Sequence, residues 1–362
     1  MKAIVDKSLH VMLMYILSHL GLIFFMYPGN IIASTERGHW LPILIGVIIH
    51  FVFISIYMKG LSFFPNKDIL NIYTGIGKST AVLFIAPVFL YFIMILLITV
   101  RAYSEIITIV FLSNTPLWAI MLLLLSISTF IAANGIEVIF RTGLLLSILY
   151  FPIVIFIFFT SFQNVDWRYA IPFDADFRFI TKPAYLESFF AFSGGFLFLG
   201  FVQPYFSYDR KYVLWAAAAL IPFFIFSVYI PVLTFGQATA STTLLPYVVV
   251  VDTININWLM FDRVTMFYLL SLISFIMLFI SLVTWKAIRI LSFYIPSIKP
   301  VKLMIVLSGA VFLSGCLISD WKDVEKLFWW NTLLRFYILI AVPLSIYFFG
   351  FRLKRKGENE TI

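Results

Sequence analysis

Ten apolar runs, each close to the length that crosses a bilayer, constrain this chain more than any single residue does. A hydrocarbon core about 30 Å thick takes about 20 apolar residues as a helix. Runs near 9–32, 40–58, 80–100, 115–133, 139–162, 185–206, 213–236, 264–290, 302–319 and 331–350 meet that length. Turn formers and charges collect between them, as in Ser113-Asn114-Thr115-Pro116, Asn134-Gly135 and Asp209-Arg210-Lys211. Lipid cannot satisfy a free backbone N–H or C=O, so runs of this length must be helices. The expectation is an all-α integral membrane protein, a single transmembrane domain over 1–362. Composition agrees: charged residues are 12% of the chain, against about 25% in a soluble domain. The stretch 237–262 is polar from Ala238 to Thr243, and its apolar piece, Leu244 to Val251, is too short to span; it reads as a re-entrant or surface element. The N-terminal run lacks a small-residue cleavage site and is followed by Tyr27, Pro28 and Asn30, so it reads as a retained first helix.

Charge tests the count. With the N-terminus inside, alternation places sixteen of the 25 Lys and Arg, among them Lys59, Arg141, Lys286 and Arg289, on the cytoplasmic side, with six of the 17 acids. Positive charge held inside is the recognised determinant of orientation, and both termini are expected in the cytoplasm. The net charge of +8 therefore follows from topology and does not point to nucleic acid. Cys316 is the single cysteine, so no intrachain disulfide forms. No nucleotide-binding loop, metalloprotease helix, paired-cysteine motif or serine elbow occurs. No catalytic residue, metal site or cofactor is expected, and the chain is not read as an enzyme.

Ten spans divide into five and five, and an odd number per half inverts the second half against the first, as in many secondary transporters. The halves are expected at about 8–162 and 184–350, with a short basic tail over 351–362. In that plan the first helix of each half is broken near mid-membrane. Ser18-His19-Leu20-Gly21 interrupts the first run and Ser193-Gly194-Gly195 the sixth. Unwinding there frees backbone groups for a polar ligand, and glycine permits close approach. The plainer alternative is that these small residues are packing contacts between helices. An ionisable group within a membrane is a functional candidate, which singles out His19; the alternative is a neutral histidine bridging two helices. His10 and His50 are read as interfacial, at cytoplasmic ends of their spans. Arg101 with Glu105, and Glu137 with Arg141, have the (i, i+4) spacing of structural ion pairs. No span core is read as carrying a Lys, Asp or Glu fit for a proton relay.

Several landmarks then bring a family into view: Tyr27-Pro28 followed by Gly38-His39-Trp40-Leu41; Arg101 with Ser104-Glu105; Thr115-Pro116; Gly135-Ile136-Glu137 with Arg141; Asn164, Asp166 and Ile171-Pro172; and Asp262-Arg263. In that order and spacing, the chain resembles the B subunits of bacterial spore germinant receptors, the GerAB family, within the amino acid/polyamine/organocation transporter superfamily. The resemblance implies a LeuT-like fold, a 5+5 inverted repeat with helices 1 and 6 broken. It implies a sensor in the spore inner membrane that works beside an A subunit and a lipoprotein C subunit and binds a small nutrient, commonly an amino acid. By that likeness the ligand would lie against Ser18, His19, Leu20 and Gly21 and against Phe192, Ser193, Gly194, Gly195 and Phe196. Helix position alone adds Tyr91 on the third span and Ser274 and Ser281 on the eighth. Where many relatives carry an acidic residue after the glycine of the sixth helix, this chain has Phe196. Two other functions compete: an autonomous proton-coupled amino-acid permease, and a scaffolding subunit with a vestigial site.

Overall fold

The structure, a computed structural model, describes residues 2–110, 112–171, 173–254 and 264–359. Three of the landmark residues, Pro172 and the pair Asp262-Arg263, lie outside the described residues, as do the side chains of the terminal charges Lys2, Asp6, Lys7, Lys356, Glu358 and Glu360.

All ten expected runs are helical. α1 (Lys2–Ile23) and α2 (Tyr27–Ser34) form the first, α3 (Trp40–Leu61) the second, and α4 (Ile69–Ile76) lies between it and α5 (Lys78–Val110), the third. α6 (Leu117–Ala133) and α7 (Ile136–Thr160) complete the first five. The sixth is three short pieces, α8 (Pro183–Ser188), α9 (Phe190–Ser193) and α10 (Leu199–Val202). α11 (Arg210–Ala219) runs into α12 (Ile221–Ala240), and α13 (Pro246–Asp252) fills the stretch too short to span. α14 (Val264–Tyr294), α15 (Pro300–Cys316) and α16 (Trp321–Phe336), joined to α17 (Val342–Asn359) by the π-helical turn Tyr337–Ala341, finish the chain. Among the described residues six helices are long and apolar enough to cross a membrane alone, and the bent pair α1–α2 makes a seventh. α6 and α15 are shorter apolar helices, and the sixth run crosses only as a set of fragments.

Bulky apolar side chains stand on the outside of the bundle, among them Phe130, Ile148, Phe159, Leu313 and Leu333, each more than 60% exposed. In water such a surface would aggregate; against acyl chains it is solvated. At the centre lies α14, packed against α1, α5, α6, α7 and α15. Glycine shapes one bend visibly: Gly236 takes φ +73° inside α12, a region side-chain-bearing residues avoid, and so turns the last helical turn aside. The face where the chain starts and ends is closed by an ion pair between Asp68 and Arg289 of α14, 2.9 Å apart. Asp68 also caps α4, accepting from Asn71 N at 2.9 Å. On the opposite face, Arg37 pairs with Asp174 at 2.6 Å and Trp40 Nε1 donates to Phe173 O, so the 163–182 connection is strapped across the entry to α3.

Candidate functional site

The first break does not fall where the polar residues suggested. Ser18, His19, Leu20 and Gly21 are all helical; α1 continues to Ile23, and the chain turns over Phe24–Met26 before α2 leaves at 53° to α1. Pro28 stands in the first turn of α2. Proline has no N–H to donate and its ring collides with the carbonyl four residues back, at about 3 kcal/mol in a helix interior, so Pro28 favours a break ahead of it, although Pro87, Pro152 and Pro231 are carried inside helices. Ser18 and His19 need no unwinding, because each bonds back one turn: Ser18 Oγ donates to Met14 O at 2.7 Å and His19 Nδ1 lies 2.8 Å from Tyr15 O.

The second break is at the expected glycines. α9 stops at Ser193, residues 194–198 turn, and α10 resumes at Leu199. Two tyrosines hold the loosened backbone: Tyr57 Oη donates to Leu197 O at 3.2 Å and Tyr208 Oη to Leu199 O at 2.7 Å. Tyr103 of α5 does the same for the end of α1, donating to Gly21 O. Backbone groups released by both breaks are thus met by phenol hydroxyls, as lipid-embedded backbone requires.

The two breaks meet at one contact. A Cβ at Gly195 would sit 2.6 Å from His19 Nδ1 and 2.7 Å from Nε2, so only glycine leaves room for the imidazole. A Cβ at Gly194 would point the other way, 3.1 Å from Leu22 and 3.2 Å from Ile95 and Phe279, and would press on α5 and α14. Tyr15 O can only accept, so His19 Nδ1 carries the proton and Nε2 is left as an acceptor. That Nε2 is fully buried and has no hydrogen-bond partner among the described residues. Beside it His50 lies with its ring centroid 5.2 Å away and its Nε2 2.5 Å from Tyr15 Oη. Tyr91 Oη and Ser193 Oγ are 3.4 Å apart on the α5 side. The surrounding wall is aromatic: Phe192 stacks on Phe224 at 4.4 Å and meets Tyr27 edge-on, while Phe196 faces His50 and Tyr57. Buried hydroxyls of Tyr27 and Tyr268 also lack partners. All of these side chains are shielded from solvent. The arrangement is a close-packed aromatic cluster with a few unmet polar atoms at its centre.

Not every residue singled out in the sequence reaches this contact. His19, Phe192, Ser193, Gly194, Gly195, Phe196 and Tyr91 come together around it. Leu20 is buried in the same turn, and Gly21 packs on the α14 backbone, where a Cβ would lie 3.4 Å from Phe275. Ser18 and Ser281 are buried but spend their hydroxyls on Met14 O and Met277 O. Ser274 is partly exposed and bonds Leu270 O at 2.8 Å; the α14 residues that touch the broken helices are instead Phe275, Ile276 and Phe279. Three corrections follow. The helix-1 break is at 24–26. His50 is no interfacial histidine, being buried against His19, and its position eleven residues into a 22-residue helix was the signal for it. Lys286 is no surface cation but lies fully buried within α14. Among the described residues, no group of three or more His, Cys, Asp or Glu is placed to hold a metal ion.

Residues 7–324 match the family described as spore germination protein, the spore permeases. The chain belongs to that family. No curated protein matches it. In fold, this spore permease is similar to MhsT, solved as a crystal structure in complex with L-phenylalanine: TM-score 0.66, 13% sequence identity, 94% of this chain and 98% of that chain covered. The spore permease therefore has the LeuT-type transporter fold, in which the first and sixth helices are the broken pair, and it is a multi-pass membrane protein of a nutrient-binding or transport class.

Outside the membrane, charge is locally paired. Arg168 and Asp166 share hydrogen bonds that hold the Asp166 carboxyl down at about 2, and Arg178 lowers Asp176 the same way. His39, in the turn before α3, is pushed down to about 4 by burial.

Proposed function

We propose that this spore permease is the nutrient-sensing membrane subunit of a germination receptor. A small nutrient, such as an amino acid, binds between the two broken helices and shifts the chain between two conformations, which an A subunit and a lipoprotein C subunit read out in the spore inner membrane. Residues 8–162 and 184–350 are the two inverted halves, 351–362 a basic tail, and both termini are cytoplasmic. The observation that carries this reading is the His19–Gly195 contact. It joins the two broken helices directly, and it presents an unmet buried acceptor, His19 Nε2, to any ammonium or hydroxyl placed there. An amino acid supplies such a donor, and the ring of phenylalanines suits an apolar side chain.

A sensor needs only differential affinity for two states, about 1.4 kcal/mol for each tenfold bias. A permease must also release its ligand on the far side in every cycle. The permease reading has one observation in its favour, a lysine buried in α14. The test is the purified chain in liposomes with an imposed pH gradient and radiolabelled L-amino acids. Saturable binding without concentrative uptake is expected; uptake that collapses with the gradient would replace the sensor by the permease.

A further inference from the structure

Among the described residues, Lys286 is a buried cation with no hydrogen-bond partner. Its side chain is 0% exposed, and Nζ makes no hydrogen bond and no ion pair among the described residues. What it meets is the face of Phe92 on α5, 4.6 Å from Nζ to the ring centroid. Phe92 in turn packs on Phe201 of α10, centroids 5.8 Å apart. One turn of α14 therefore reaches both the α10 segment and Asp68. Trp285 meets Tyr205 just after α10 at 5.8 Å, Lys286 reaches α10 through Phe92, and Arg289 lies over Tyr205 while pairing with Asp68. α10 is four residues long and is preceded by five turn residues, so no continuous helix joins it to α9.

We propose that Lys286 is a proton-exchange site whose access to water is controlled by the α10 segment on the face where the chain begins and ends. With α10 packed down, no water reaches Nζ, and one aromatic face is a poor substitute for the hydration of an ammonium. When α10 and Tyr205 lift, water reaches the amine, which takes a proton from that side; closing again returns the proton to it. Protonation and opening thus favour each other. The titratable groups at this end include His10 of α1, which has a partner of its own, and Tyr205 and Tyr208 after α10, the latter donating to Leu199 O. Asp68 is engaged by Arg289, and Glu137 and Arg141 of α7 are paired and largely exposed. On α5 the nearest ionisable side chain is Tyr91, bonded to Ser193; α6 has none, and Lys299 and Lys302 at the start of α15 are exposed. Among the described residues no carboxylate is paired with Lys286, so its charge is taken to come and go with solvent. The site does not depend on which nutrient the broken helices bind, or on whether they bind one.

The experiment is hydrogen–deuterium exchange of the full chain in lipid nanodiscs between pH 6 and 9, corrected for intrinsic exchange and read on peptides covering 199–208. Wild type should open more as pH falls, by at most about tenfold per pH unit, the limit for one linked proton. Lys286→Met should remove that dependence, and Lys286→Arg, permanently charged, should exchange fast at every pH. A Lys286→Met protein that keeps the wild-type pH dependence would overturn the proposal. Should the Met and Arg variants not fold, solid-state NMR of the unaltered protein labelled at lysine Nζ decides. One nitrogen is expected to move between ammonium and amine shifts across that range, and ammonium shifts for all lysines throughout would reject the site.

Discussion

Replacing Gly195 by alanine tests the contact between the broken helices in the most quantitative way. The added methyl would fall 2.6–2.7 Å from the nitrogens of His19, several tenths of an ångström inside any ordinary contact. The imidazole cannot swing away freely, because Nδ1 is bonded to Tyr15 O and the ring is flanked by Tyr15 and His50. Either the ring moves and loses that hydrogen bond, worth about 1 kcal/mol, or the 194–198 turn retreats and the packing is strained by about 1–3 kcal/mol. The expected loss of stability is about 1–3 kcal/mol, with nutrient binding weakened at least tenfold. Thermal unfolding in detergent and equilibrium binding read the two effects. The decisive control is the double variant Gly195→Ala with His19→Ala: removing the imidazole frees the space, so the two changes should couple by more than about 1 kcal/mol. Additive effects would mean that the methyl meets no imidazole and that the two breaks do not touch as described.

Other outcomes follow from the same structure. Asp68→Ala leaves Arg289 without its carboxylate and α4 without its cap; since Arg289 is partly exposed, the loss should be about 2 kcal/mol, below the 3–5 typical of fully buried pairs, and an unchanged melting temperature would argue against the latch. His39 is held at about 4 by burial, below its ordinary value near 6.5, so its stability contribution is complete above about pH 6.5 and is lost as pH falls toward 4. The far-face turn 35–39 should therefore become protease-sensitive in that window, and His39→Gln should abolish the change. Reporters fused at position 356 and inserted at 174 should lie on opposite sides of the membrane; the same side for both would refute the ten-crossing path.

The membrane fold was legible because it rests on run length and charge, properties that no local packing detail can reverse. The sixth-helix break was legible for a related reason: two adjacent glycines mark a backbone that something else must approach. The first break was misread because polarity was taken as the sign of unwinding. Serine and histidine satisfy themselves on the carbonyl four residues back, as Ser18 and His19 do, and Pro28 disfavours continuation instead. Ser274 and Ser281 likewise donate to their own helix. His50 was assigned to the membrane surface from its place in the span, and Lys286 to the cytoplasmic side from the alternation of charge. Burial there is set by neighbouring helices: Tyr15 and His19 close over His50, and Phe92 closes over Lys286, contacts that span separations invisible to a single-helix reading.

The claim that a nutrient sits between the broken helices is tested most directly by binding of radiolabelled L-amino acids, L-phenylalanine among them, to the purified chain and to a small variant set. His19→Ala, Gly195→Ala and Phe192→Ala should each weaken binding of the recognised amino acid by tenfold or more. Ser126→Ala, whose hydroxyl bonds its own helix on the exposed side of α6, should bind as wild type does. Wild-type affinity in all three helix-1 and helix-6 variants would place the ligand elsewhere and contradict the account.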